Sequence, residues 1–290
     1  MTTTRSIAAN GLTFAVDAAG AGPDIALCLH GFPESRFSWR HQLPLLADLG
    51  WHAVAPDLRG YGGSSRPPRR ADYHIDHLVA DVAALFAALA TEHGKGRHLL
   101  VAHDWGAIIA WIYALRNPGV LDGLIIMNVP HPRVFRDVLK TSWAQKKKSW
   151  YVAFFQLPWL PEALLGARGA EAIGKAFSDM AIDKSAFPPA VTDHYRANAR
   201  QPGALTAMVN YYRANFPNIL AEPVVPLAVP TLLLWGEEDS ALDIALTEGY
   251  GPLVADFTLQ RFPGVSHWVQ QEAPVAVNAA MREWLGAKLG

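Results

Sequence analysis

Val101-Ala102-His103-Asp104-Trp105-Gly106-Ala107 is the stretch on which the reading of this chain turns. The apolar run 99–102 that leads into it has the look of a buried strand. From about residue 105 to 116, Ile108, Ile112 and Leu115 share one helical face, and the pattern stops at Asn117-Pro118. A strand that becomes a helix within a residue must turn so sharply that the central residue is strained. Its neighbours two before and two after must then be small. Ala102, Gly106 and Ala107 meet that requirement. Asp104 at the centre has two readings: an N-cap, which Asp favours at any helix start, or a nucleophile held out on an elbow.

The surroundings repeat the strand-helix theme. Residues 12–16, 25–30, 52–56, 124–127, 231–235 and 257–261 read as further strands. The Asn10-Gly11 pair suggests that the first belongs to a hairpin. Leu78, Val82, Leu85, Phe86 and Leu89 recur at helical spacing, with Asp76 as the expected N-cap. Alternation of this kind predicts a mostly parallel, twisted sheet with helices on both faces. The stretch 131–222 breaks it: it is rich in Trp, Phe, Tyr and Pro, reads as several helices and offers no β-run. The expected organisation is therefore a core of residues 1–130 and 223–290 interrupted by a helical cap at 131–222.

Composition removes several function classes. The chain has 290 residues, 51% of them hydrophobic and 18% charged, with 25 Lys+Arg against 26 Asp+Glu. Without a basic excess there is no electrostatic footprint for nucleic acid. Cys28 is the only cysteine and sits in an apolar run, so it reads as a small buried hydrophobe, and neither an intramolecular disulfide nor a cysteine-built zinc site can form. The N-terminus lacks the apolar core of a signal peptide, and no uncharged stretch reaches the roughly 18 residues of a membrane span. These features suggest a cytoplasmic protein, a monomer or a small oligomer such as a homodimer. The run Lys146-Lys147-Lys148 reads as a solvated helix face.

An elbow nucleophile needs an acid and then a His later in the chain. Gly236-Glu237-Glu238-Asp239 follows the strand at 231–235, and Gly264-Val265-Ser266-His267-Trp268 follows the next. Asp239 and His267 thus fall in order, each in a loop at the end of a strand. Upstream, His30-Gly31-Phe32-Pro33-Glu34 ends a strand. The backbone N–H groups of Phe32 and Trp105 could then pair as an oxyanion hole. The Phe32-Pro33 bond is a candidate cis peptide.

With these residues in place, the sequence resembles the α/β-hydrolase superfamily and, within it, the epoxide hydrolases. The matching motifs are HGFPE at 30–34, DLRGYGGS at 57–64, HDWG at 103–106, WGEED at 235–239 and GVSHW at 264–268. In the cap, Tyr151-Val-Ala-Phe-Phe-Gln156 resembles the family's Tyr-x-x-x-Phe-Gln signature, and Asn210-Tyr-Tyr-Arg213 its second tyrosine motif. The resemblance implies Asp104 as nucleophile, His267 as base, Asp239 as its acid partner, and Tyr151 and Tyr212 as the pair holding the epoxide oxygen. Trp39, Phe135, Phe154, Phe155 and Trp268 are the expected apolar contacts of the substrate.

Carboxylate chemistry narrows the reaction. Attack on an ester carbonyl would leave a reactive anhydride, whereas attack on a saturated carbon gives a stable ester, which suits epoxides and alkyl halides. An epoxide's alkoxide needs a proton donor, and a phenol is a suitable one. A halide needs only a cradle of N–H groups. Haloalkane dehalogenases commonly carry Asn where Phe32 stands, and haloacetate dehalogenases an Arg where Trp105 stands. The expectation is therefore a hydrolase that converts an apolar epoxide and water to a vicinal diol, with no metal or organic cofactor. A dehalogenase using the same triad and a non-catalytic ligand-binding protein on this scaffold are the alternatives.

Overall fold

The computed structural model describes residues 2–216, 218–221 and 225–290. Eight strands form one sheet: β1 (Thr3–Ala9), β2 (Leu12–Ala19), β3 (Ile25–Leu29), β4 (His52–Pro56), β5 (His98–His103), β6 (Gly123–Met127), β7 (Thr231–Gly236) and β8 (Phe257–Phe262). Their order is β1-β2-β4-β3-β5-β6-β7-β8. The pairs β1–β2 and β2–β4 are antiparallel, and every pair from β4–β3 onward is parallel. The hairpin joining β1 and β2 turns on Asn10 and Gly11, whose φ values of 47° and 70° are the left-handed pair that a two-residue hairpin loop requires.

Among the described residues, eleven α-helices accompany the sheet: α1 (Gln42–Asp48), α2 (Ile75–His93), α3 (Trp105–Arg116), α4 (Pro132–Thr141), α5 (Trp143–Lys148), α6 (Trp150–Phe154), α7 (Leu160–Met180), α8 (Pro189–Ala199), α9 (Ala204–Asn215), α10 (Val269–Glu272) and α11 (Pro274–Leu289). The central strands are buried on both faces, as parallel strands covered by helices must be. Along β5, Leu100 and Ala102 join a core shared with α2 and α3, while Leu99 and Val101 join a second core with α1 and α11. Cys28 faces that second core with no exposure, and burial pushes its thiol pKa up. None of the helices among the described residues is long and apolar enough to cross a membrane.

Between β6 and β7 the described residues contain helices and no strand, in keeping with the pattern read at 131–222. The expected boundary between cap and core at 222/223 lies outside the described residues. Within this segment, α7 is two helical pieces joined at a kink, where Arg168, Gly169 and Ala170 all have positive φ.

Three local expectations are corrected. His74, not Asp76, caps α2: its ring accepts from the Asp76 N–H, and Asp76 in the first turn pairs instead with Arg116 at 2.7 Å. Trp39 is fully buried in the core beneath the sheet with Leu43 and Leu46, on the side of α1 and α11, so it lines no substrate pocket. Its apolar character was legible, but not the face of the sheet it would occupy. Lys146 and Lys147 are exposed, whereas Lys148 turns inward and its ammonium group donates to the main-chain carbonyl of Asp239 at 2.7 Å.

Candidate active site

At the end of β5 the backbone of Asp104 takes φ 46° and ψ −122°, outside the regions a non-glycine residue ordinarily occupies. The small residues around it are needed. A Cβ on Gly106 would come within 2.2 Å of the Leu29 carbonyl oxygen, and one on Gly31 within 2.3 Å of the Asp104 side chain. The turn leaves Asp104 at the start of α3 without a side-chain capping bond, so its carboxylate is free to point elsewhere. Phe32 donates its backbone N–H to Oδ1 at 2.6 Å, and the Phe32-Pro33 bond is cis. Trp105, the first residue of α3, presents its N–H among those that have no partner within the helix.

His267 faces the nucleophile candidate. Its Nε2 lies 3.6 Å from Asp104 Oδ2, and its Nδ1 donates to Asp239 Oδ2 at 2.6 Å. Asp239 is buried but well partnered: Oδ1 accepts from the N–H groups of Ala241 and Leu242 at 2.7 and 2.8 Å, and Oδ2 also accepts from Asn128 Nδ2 at 2.8 Å. Burial alone would raise the pKa of both carboxyls. The positive imidazole and these hydrogen bonds outweigh it, and both are held below the usual range. For His267, burial pulls the pKa down, but the charge of Asp239 and the hydrogen bonds and charge of Asp104 push it up to about 10. In this arrangement the imidazole is an imidazolium between two carboxylates at neutral pH.

Two phenols complete the site. Tyr151 and Tyr212 have ring centroids 6.0 Å apart, nearly perpendicular, and both line the space next to Asp104. Burial, and after it the negative charge of Asp104, pushes both phenol pKa values up, so both hydroxyls keep their protons at neutral pH. The residues flanking Tyr212 fix α9. Tyr211 donates its hydroxyl to the Arg59 carbonyl at 2.7 Å, and Asn215 Oδ1 accepts from the Ile75 N–H at 2.7 Å. Arg213 reaches Glu162 at 2.5 Å and the Phe155 carbonyl at 2.9 Å, tying α9 to the segment that carries Tyr151.

Asp104, Tyr151 and Tyr212 stand where two chambers meet. One is lined by Trp105, Ile108, Phe135, Val152, Phe216 and Leu242. The other is lined by Phe32, Trp150, Phe154, Phe155, His267 and Trp268. Walls of this mainly apolar and aromatic character suit a small apolar ligand. Of the five residues expected to contact substrate, Phe135, Phe154, Phe155 and Trp268 therefore border the chambers, and only Trp39 does not. The described residues contain no cluster of three His, Cys, Asp or Glu side chains able to hold a metal ion.

Sequence reasoning missed the buried polar support beneath the site. Glu34 is fully buried; its Oε2 accepts from the Gly31 N–H and from His103 Nδ1, each at 2.8 Å. Its Oε1 accepts from the side-chain amides of Gln270 and Gln271 at 2.9 and 2.8 Å. The other ring nitrogen of His103 lies 2.9 Å from the His267 carbonyl oxygen, so both its nitrogens face acceptors. The web holds the loop of Phe32, the elbow and the loop of His267 to one another. Asn128 was also missed. Its one signal in the sequence is an Asn directly after an apolar strand, here with φ 47°.

Comparison with known proteins agrees with this geometry. Residues 27–274 match the family model of the α/β hydrolase fold. The chain is 39% identical over 266 residues to epoxide hydrolase 3 of Xenopus tropicalis, covering 90% of this chain and 71% of that protein. It is 37% identical over 278 residues to the AB hydrolase superfamily protein YfhM of Bacillus subtilis, covering 95% of each. Among solved structures, a Bacillus megaterium epoxide hydrolase in complex with an inhibitor superimposes with a TM-score of 0.89 at 30% identity, covering 97% of this chain and all of that one.

Proposed function

The chain belongs to the α/β-hydrolase fold family and, within it, to the epoxide hydrolases, and on that premise we propose the residues and steps by which it turns an apolar epoxide and water into a vicinal diol. It is a hydrolase acting on the ether bond of epoxides. Residues 1–130 and 223–290 form the hydrolase core in this reading, and 131–222 form the cap that brings Tyr151 and Tyr212 over the nucleophile.

In the first step Asp104 Oδ2 attacks an epoxide carbon and the carbon–oxygen bond of the ring breaks. Tyr151 and Tyr212 hydrogen-bond the departing oxygen, and one of them gives it a proton, leaving a hydroxyalkyl ester and a phenolate. Esterification removes the Asp104 charge, one of the two that hold the His267 proton. The imidazolium then sheds that proton, which neutralises the phenolate, and His267 becomes a base only once the ester exists.

In the second step neutral His267, oriented by Asp239, takes a proton from water as its oxygen attacks Cγ of the ester. The N–H groups of Phe32 and Trp105 stabilise the tetrahedral oxyanion. The Cγ–O bond to the substrate breaks, the departing diol oxygen takes the second proton of the added water, and the Asp104 carboxylate and the His267 imidazolium are restored. The proton that His267 gives up after the first step is thus regained in the second.

The observation that carries this reading is the position of Asp104, Tyr151 and Tyr212 on the shared wall of both chambers. A halide cradle or a simple binding pocket has no use for two neutral phenols opposite a carboxylate. Two apolar chambers meeting at the nucleophile also suit an epoxide with an apolar substituent on each ring carbon. A panel of aryl, alkyl and fatty-acid epoxides, assayed as diols with haloalkanes in parallel, tests it. Diol from 1,2-disubstituted epoxides without halide release is the expected result, and halide release without diol would overturn it.

A further inference from the structure

Gln145, Lys148 and Tyr151 follow one another at three-residue spacing across α5 and the start of α6. Gln145 and Lys148, both on α5, share a face at that spacing, and Tyr151 follows one residue into α6. Gln145 is fully buried; its side-chain oxygen accepts from the Asp243 N–H at 2.8 Å, and its amide donates to the Ala241 carbonyl at 3.1 Å. Lys148 donates to the Asp239 carbonyl at 2.7 Å and to the Leu242 carbonyl at 3.4 Å, with Asp243 Oδ2 at 3.9 Å. Tyr151, three residues on and past the break between the two helices at Ser149, lines both chambers beside Asp104. One short segment therefore grips the loop of Asp239 through its main chain and carries a phenol to Asp104.

We propose that Gln145 and Lys148 are positioning residues that set Tyr151 and the Asp239–His267 pair at a fixed spacing, coupling the geometry of ring opening to that of ester hydrolysis. This rests on the assignment of Tyr151 as a proton donor. The contacts go to main-chain atoms of residues 239–243, so they act on the shape of the loop. An ammonium group suits the role because it has three donors and no acceptor, and here it serves two carbonyls at once. Tyr212 sits on α9, which Tyr211 and Asn215 tie to the core and Arg213 ties to the segment of Tyr151. Gln145 and Lys148 therefore bear on Tyr151 first and on Tyr212 only through that segment.

The test uses the full chain with Lys148→Met, Gln145→Leu, Lys148→Arg and, as a control on an exposed neighbour, Lys147→Met. Hydrogen exchange of the amides of residues 239–243 is read first and needs no substrate. Single-turnover formation and decay of the ester with styrene oxide are read by quenched flow, alongside Tm. Lys148→Met is expected to speed exchange in the loop and to slow both ester formation and decay about tenfold or more, since a misplacement near 1 Å can cost about 100-fold. Lys148→Arg should regain most of both rates, and Lys147→Met should match the wild type. Gln145→Leu replaces Lys148→Met if the latter fails to fold. Unchanged loop exchange would overturn the proposal, and so would rates within twofold of wild type accompanied by a lowered Tm. A wild type that forms no diol from any epoxide would contradict the catalytic reading instead, leaving loop exchange to decide the positioning role.

Discussion

His267 Nε2 stands 3.6 Å from Asp104 Oδ2, a full ångström farther than His267 Nδ1 stands from Asp239 Oδ2 at 2.6 Å. The imidazole is bound tightly to Asp239 behind it and faces Asp104 across a wider gap. Burial lowers its pKa, but the two carboxylates win and push it from 6.5 to about 10. In the folded chain it stays protonated well above the pH at which the unfolded chain loses the proton. This contribution to stability is complete below about pH 6.5 and is lost as the pH rises toward 10. Asp104→Asn removes one of the two charges, as esterification would, and should lower the titration midpoint of His267 by about one unit or more. NMR titration of the imidazole checks this, and an unchanged midpoint would contradict the account.

The phenols should be partly redundant. Tyr151→Phe and Tyr212→Phe each remove one oxygen from a site with a second donor, and each should slow ester formation about 100-fold, within the range for a placed proton donor. The double variant should be nearly silent in that step. Ester decay, measured by single turnover in either single variant, should change far less. A double variant with wild-type diol formation would defeat the ring-opening assignment.

The elbow's steric demand can be measured apart from catalysis. Gly106→Ala places a Cβ within 2.2 Å of the Leu29 carbonyl, against backbone, and should cost about 1–3 kcal/mol or more. Gly286→Ala, on α11 with no atom within 4 Å of the added carbon, should instead stabilise by about 0.5–1 kcal/mol. Urea unfolding of the two variants gives both numbers, and equal effects would mean that the turn does not need its glycine.

Asn128 donates to Asp239 Oδ2 at 2.8 Å in a fully buried setting. Asn128→Asp replaces a donor with a like charge, so Asp239 should lose its lowered pKa and its hold on His267. The expected outcome is a fall in the rate of ester hydrolysis of at least 100-fold, with ester accumulating on the enzyme. A variant that hydrolyses the ester at the wild-type rate would show that Asn128 is dispensable for orienting the acid.

The elbow was legible in the sequence because it is a local steric rule: a strand, a tight bend and small residues at fixed offsets. Asp239 and His267 were legible because loops at strand ends fall in a fixed chain order. The polar web of Glu34, His103, Gln270 and Gln271 was not, since its members come from three distant segments that only the strand order brings together. Trp39 shows the limit of hydrophobicity, which says that a side chain is buried but not on which face of a sheet. Lys148 shows the limit of charge runs: successive residues on a helix point about 100° apart, so three adjacent lysines need not share a fate.

The covalent ester on Asp104 is the centre of the account, and intact-protein mass spectrometry of His267→Gln mixed with an epoxide that the wild type converts reads it most directly. The account expects the protein mass to rise by the full mass of the epoxide and to stay there, with the added mass on the peptide containing Asp104 and absent from Asp104→Asn. A folded His267→Gln chain that gains no mass, or gains it on a peptide without Asp104, would contradict it.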